Sequence, residues 1–206
     1  MEILITSKTH KGQAACVGGM IIENNRLVRI LNAGNMDQPS NTDFNIGDIW
    51  DITFENRRDV IPPHIEDIII SQKRFRRHVE NITEFILNCG VEIYRGSPSR
   101  IFNGMLGWTG NGGGFIENKE NLPSNSVGFW ISDINLEFNN GYYHYDSGNI
   151  FERIKRLKYV GFQPIVEIIP AGTLMRISLA RWWKPEDADI SERCYLQLSG
   201  WYELTN

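Results

Sequence analysis

The sequence predicts a mainly β protein made of two β-rich segments, each taking in a helix. Three observations predict it. Short alternating apolar runs, separated by turn residues, fill the first seventy positions. One stretch, SQKRFRRHVENITEFILN (71–88), switches to helical spacing. The run GTLMRISLARWWKPEDADISERCYLQLSGWY (172–202) returns to a period of two, as two strands joined by a polar loop.

In chain order, strands are expected at 2–6, 15–22, 27–31, 48–54 and 65–70, with SKTHKG, ENN, NAGNMDQPSNTDFNIG and the Pro62–Pro63 pair as punctuation. The helix over 71–88 takes Ser71 as N-cap and sets Phe75, Val79, Ile82 and Ile86 on one face. Lys73, Arg74, Arg76 and Arg77 then crowd its first turns, against the helix dipole. Either Glu66 and Asp67 pair with them, or an anion meets the helix N-terminus. Six glycines between Gly104 and Gly114, around Trp108, read as a mobile loop or as a flap over a ligand; no Gly-Lys-Ser/Thr follows, so this is not a P-loop. Strands follow at 126–132 and 134–138. A second helix, 149–159, turns Ile150, Phe151, Ile154 and Leu157 inward and leaves Arg153, Lys155, Arg156 and Lys158 as a solvated face. Three strands, 163–169, 173–181 and 193–202, complete the chain. Two units result, 1–90 and 91–206, each read as a small barrel.

Composition narrows function. The 206 residues are 41% apolar and 22% charged, ordinary for a globular chain. No apolar run approaches the roughly 20 residues of a spanning helix, and the N-terminus lacks a signal peptide, so a cytoplasmic protein with no membrane partner is expected. A net charge of −4 excludes a basic nucleic-acid coat. The charge is uneven: eight acids face Arg57 and Arg58 over 37–67, whereas six bases face three acids over 72–101. Cys16, Cys89 and Cys194 form no CxxC and are expected as reduced, buried thiols. His10, His64, His78 and His144 are scattered, so neither metal, cofactor nor catalytic set is expected. Glu117 and Lys119 match the ExK fragment of metal-dependent nucleases, a minor alternative.

The candidate site comes from the C-terminal strands. Cys194, Leu196 and Leu198 alternate with Arg193, Tyr195, Gln197 and Ser199; Met175, Ile177 and Leu179 alternate with Arg176 and Ser178. Arg181, Trp182 and Trp183 follow, and neighbouring residues of an extended chain point to opposite sides, which exposes one tryptophan or puts it under a loop. Trp50 and Trp130 sit in apolar strand patterns and belong to the core. Arginines beside aromatics on an open sheet hold phosphates and stack bases, the latter worth about 1–3 kcal/mol per base. A half-solvated antiparallel sheet has the same alternation without any ligand.

ITSKTHKG, CVGG and RLVRILN, then FNIGDIW and PPHIED, and last PAGTLMRISLARWW with RCYLQLSGWY, resemble the dual OB-containing domain of bacterial proteins over nearly the whole chain. The resemblance implies two OB-like β-barrels in tandem with two or three short helices, nucleic-acid binding, and an association with prokaryotic defence loci. In an OB-fold the loop after the first strand flanks the groove, which adds Lys8 and Lys11 of SKTHKG as phosphate contacts. The expected function is non-enzymatic binding of single-stranded DNA, RNA or a nucleotide. Arg176, Arg181 and Arg193 would neutralise phosphate, Tyr195 and Trp182 or Trp183 would stack, and Ser178 and Gln197 would make polar contacts. The alternative is a protein-interaction module docking a partner enzyme, since arginine with aromatics also marks protein hot spots.

Overall fold

A computed structural model describes residues 1–186 and 189–203. The first sheet is built from β1 (Glu2–Lys11), β2 (Ala14–Ile21), β3 (Arg26–Leu31), β4 (Gln38–Pro39), β5 (Asp48–Asn56) and β6 (Asp67–His78), followed by helix α1 (Ile82–Asn88). The second is built from β7 (Ile93–Arg95), β10 (Val127–Ile131), β11 (Leu136–Asn139), β12 (Tyr142–Tyr145), β13 (Lys155–Tyr159), β14 (Ile168–Ile169), β15 (Leu174–Leu179) and β16 (Cys194–Tyr202). The hairpin of β8 (Gly107–Trp108) and β9 (Gly114–Ile116) pairs onto β16, and 3-10 turns span Pro98–Gly104.

Pairing closes the first sheet on itself. β1 pairs with β2, β2 with β3, β3 with β6 in parallel, β6 with β5, and β5 again with β1. This is a five-strand closed barrel, as the resemblance implies. The second sheet repeats the connectivity with its first strand split. β10 pairs with β15 and β11 with β12; β12 then pairs with β13, β13 with β16 in parallel, and β16 with β15. The chain is therefore mainly β and has tandem OB architecture.

Alternation along each strand fills the interiors. Ile3, Ile5, Val17, Val28, Ile30, Ile52 and Ile68 pack inside the first barrel with Trp50. Trp130, Tyr143, Leu157, Ile177, Leu196 and Leu198 pack inside the second. Burying each such aliphatic side chain stabilises by about 1.5–3 kcal/mol. A third cluster joins the halves: Leu4, Met20, Leu27 and Ile49 of the first sheet meet Phe129, Leu174 and Tyr202 of the second, with Val79 and Ile86 beside them. Trp50 and Trp130 are buried as expected. All three cysteines are free thiols; Cys194 is buried and the other two half-buried. Among the described residues, no helix is long and apolar enough to cross a membrane.

Three expected elements are corrected. Residues 71–78 are not helix: β6 runs to His78, paired with β5 through Asp48, and only Ile82–Asn88 is helical. The helical spacing of Phe75 with Val79, Ile82 and Ile86 was a coincidence of two elements, because Phe75 packs edge-on against Trp50 across the strand pair. Asn81, not Ser71, caps the helix, accepting from the Glu84 N–H at 2.9 Å. Nor do Glu66 and Asp67 pair with the 73–77 cations; Lys73 bonds Asp43 and Arg76 bonds Asp51. The helix over 149–159 is also absent. Residues 155–159 form β13, held between β12 and β16, and Ile150 and Phe151 are each 90% exposed on the loop before it. Of the strand expected at 163–169, only Ile168–Ile169 pairs, with β11.

Candidate functional site

Period-two alternation buries Leu157 of β13 and Leu196 of β16, so Arg156, Lys158, Tyr195 and Gln197 stand on the opposite face. Lys158 and Gln197 are register partners across the parallel β13–β16 pair. Tyr142 of β12 adds a ring under Arg156, whose guanidinium carbon lies 5.0 Å from its centre. Trp183, in the β15–β16 loop and 57% exposed, approaches Tyr195 with ring centres 6.0 Å apart. These groups line a cleft of about 780 Å³, completed by Thr109, Asn111 and the glycines of the β8–β9 hairpin.

The hairpin is ordered by its own bonds. Thr109 N–H donates to the Gly113 carbonyl at 2.9 Å, and the Gly113 N–H donates to Thr109 Oγ1 at 2.8 Å. It is fastened to β13 because Arg156 N–H donates to the Gly112 carbonyl at 2.7 Å. Gly112 has φ +85°, and a Cβ there would meet the Ile154 carbonyl oxygen, so only glycine fits this approach. Arg153 Nη1 also donates to the Gly110 carbonyl, at 3.2 Å. The glycine segment is thus a wall of the cleft rather than a free loop. Arg156 Nε is buried and has no hydrogen-bond partner among the described residues. Among the described residues, the lining holds two cations, three aromatic side chains and no acid.

Of the residues expected from sequence, Trp183, Tyr195 and Gln197 meet in this cleft; the others lie elsewhere. Arg176, expected on the open face, is buried because the first barrel covers that side of β15. Its Nη1 donates to the Gly128 carbonyl at 3.1 Å, and its guanidinium faces the Phe129 ring. Ser178 shares a 2.7 Å hydrogen bond with Ser199. Arg193 is held by Glu117 at 2.8 Å and lies 3.9 Å from the centre of the Phe115 ring. Trp182 Nε1 donates to the Pro62 carbonyl at 2.8 Å. Lys8 donates to the Thr42 carbonyl and Lys11 pairs with Asp37. Glu117 and Lys119 are engaged with Arg193 and Glu192.

Arg181 joins the two sheets. Asp67, 1% exposed, takes both Arg29 Nε and Nη2 at 2.6 Å, Arg57 at 3.2 Å and Arg181 at 2.9 Å. Burial works against both charges of the Arg29–Asp67 pair, but the hydrogen bonds prevail: the carboxyl stays below the usual range and the guanidinium above it. Beside them His64, buried, places Nε2 3.2 and 3.1 Å from the carbonyls of Leu179 and Ala180. Burial, then the Arg181 charge, lowers its pKa.

Sequence reasoning missed Arg156, Lys158, Tyr142, Thr109 and Asn111. The signal was present: Lys155–Tyr159 also alternates with period two, around a single inward Leu157, but its cations fit a helix surface equally well.

The chain belongs to the dual OB-containing domain family, whose model matches residues 1–201. No curated protein matches it, and no solved structure does.

Proposed function

We propose that this dual OB protein is a non-enzymatic binder of single-stranded nucleic acid, or of a nucleotide, at the cleft between β12, β13, β16 and the glycine hairpin. The lining supports this most: among the described residues it offers cations and flat rings and no acid, on a chain whose net charge is −4. The cleft occupies the second- and third-strand face of its barrel, with the loop between the fourth and fifth strands at its edge, the surface OB-folds use for oligonucleotides and oligosaccharides. Arg156 and Lys158 neutralise phosphate, Tyr142, Trp183 and Tyr195 stack on bases, and Gln197, Thr109 and Asn111 supply polar contacts. We place the site in the unit 91–206, with 1–90 as its support. On the family resemblance alone, the proposal extends to a cytoplasmic role in bacterial defence.

Fluorescence polarisation with labelled single-stranded DNA and RNA at stepped salt tests the reading. Two neutralised phosphates give a log–log salt slope of about −1.4. Arg156→Ala weakens binding and flattens the slope; Tyr195→Ala weakens it without changing the slope. No binding of either polymer at low salt would sink the reading.

A second reading, docking of a protein partner, draws on Ile150 and Phe151, both 90% exposed on the loop that leads into β13. Apolar contacts of that kind lack a steep salt dependence. A partner whose capture requires Phe151 and ignores salt would favour it.

A further inference from the structure

The open face continues beyond the Lys158–Gln197 pair. A second hollow, of about 650 Å³, starts at the same two side chains, follows residues 159–165 and reaches His10 on the first barrel. Among the described residues, its lining also contains no acid. At its far end the His10 and Phe162 rings are stacked, 3.8 Å apart and 15° from parallel. Lys8 Nζ lies 5.3 Å from the centre of the Phe162 ring. His10 is exposed, which leaves the ring face turned from Phe162 open to solvent.

This end is fixed in place by backbone. His10 N–H donates to the Val160 carbonyl and Phe162 N–H to the Lys8 carbonyl, both at 2.9 Å. The first barrel thereby presents a flat ring and a cation at a set position relative to the cleft of the second. A nucleotide alone fills only the cleft; a strand can cross the Lys158–Gln197 pair and reach the rings.

We infer that the two hollows are one continuous track for a single strand, with the His10–Phe162 stack as a second base platform contributed by the first barrel and Lys158 as the phosphate contact between platforms. This rests on the reading of the cleft given above, and it selects a polymer over a mononucleotide as ligand.

The test is titration with labelled oligothymidylates of about 3 and about 10 nucleotides. The longer strand should bind more tightly, and His10→Ala should remove about 5-fold or more of that gain, the scale of one stacked base. His10→Phe, which keeps a ring, should restore it. The part of the gain that comes from extra binding registers on a longer strand is untouched by either change. Equal affinity for the two lengths, or a length gain that survives His10→Ala intact, overturns the shared track and leaves the cleft reading standing. Failure of the unaltered protein to bind either length defeats the cleft reading, and the track with it.

Discussion

The two barrels share one strand order and have opposite surfaces. In the first, the outward groups of the second and third strands are used internally. Met20 and Leu27 pack into the cluster between the halves, Gly18 lies under Arg176, and Arg29 is held by Asp67. In the second, the corresponding face sets Arg156 and Lys158 beside no acid among the described residues and opens into a cleft. The same Greek-key frame thus supports a scaffold once and a candidate binding surface once. The difference lies in where the outward charges of the third strand find their counter-charges: Arg29 of the first barrel finds Asp67 within the chain, whereas Arg156 and Lys158 of the second are, on the proposal above, met by a ligand.

The sharpest way to break that contrast is Asp67→Ala. It strips Arg29 of its two-point partner, leaving it only Asp37 at 3.6 Å, and leaves Arg57 and Arg181 without their shared acceptor. Removing one partner of a buried pair costs about 3–5 kcal/mol, read as a loss of unfolding free energy in denaturant. Gly112→Ala comes next: the left-handed backbone and the Ile154 carbonyl both oppose a side chain, so stability drops by about 1–3 kcal/mol and the hairpin wall moves, with weaker oligonucleotide binding in the same preparation. Arg156→Ala sharpens the contrast from the other side, because its cost should appear in binding and salt slope while the unfolding midpoint barely moves.

The smallest effect is a pH dependence at the junction. His64 is held below its ordinary pKa, first by burial and then by Arg181, while Glu66 opposes the shift. Since the folded state prefers the neutral ring, its contribution to stability is complete above about pH 6.5 and is lost as pH falls through the lower folded value. His64→Gln should flatten unfolding free energy against pH over that window. An unchanged curve would show that other groups set it.

How much of this was legible depends on whether neighbours in sequence or neighbours in space decide a position. Cys194 to Leu198 alternates cleanly, and the sides of Tyr195 and Gln197 followed from that alternation. Trp183 was readable as one of an adjacent pair that must point apart. Arg176 obeys the same alternation as Ser178, yet it is buried, because the surface it should have opened onto is occupied by the other barrel; nothing local to β15 encodes that. Residues 71–78 and 155–159 were assigned to helices because cations spaced around apolar residues satisfy either period, and the deciding interactions, Phe75 on Trp50 and Lys158 beside Gln197, come from distant strands. The barrel connectivity was accessible only through resemblance, since strand order is a matter of pairing rather than of composition.

The Tyr202 hydroxyl donates to the Thr6 carbonyl at 2.5 Å, across 196 residues of chain, within the apolar cluster that joins the two sheets. On a translating ribosome this imposes a schedule. All strands of the first barrel are available once His78 has emerged, and that barrel can close early. Its outer apolar patch, with Leu4 and Met20, is fully covered only after Phe129, Leu174 and last Tyr202 have been synthesised. During that interval the nascent chain carries apolar surface that the finished fold buries between its two sheets.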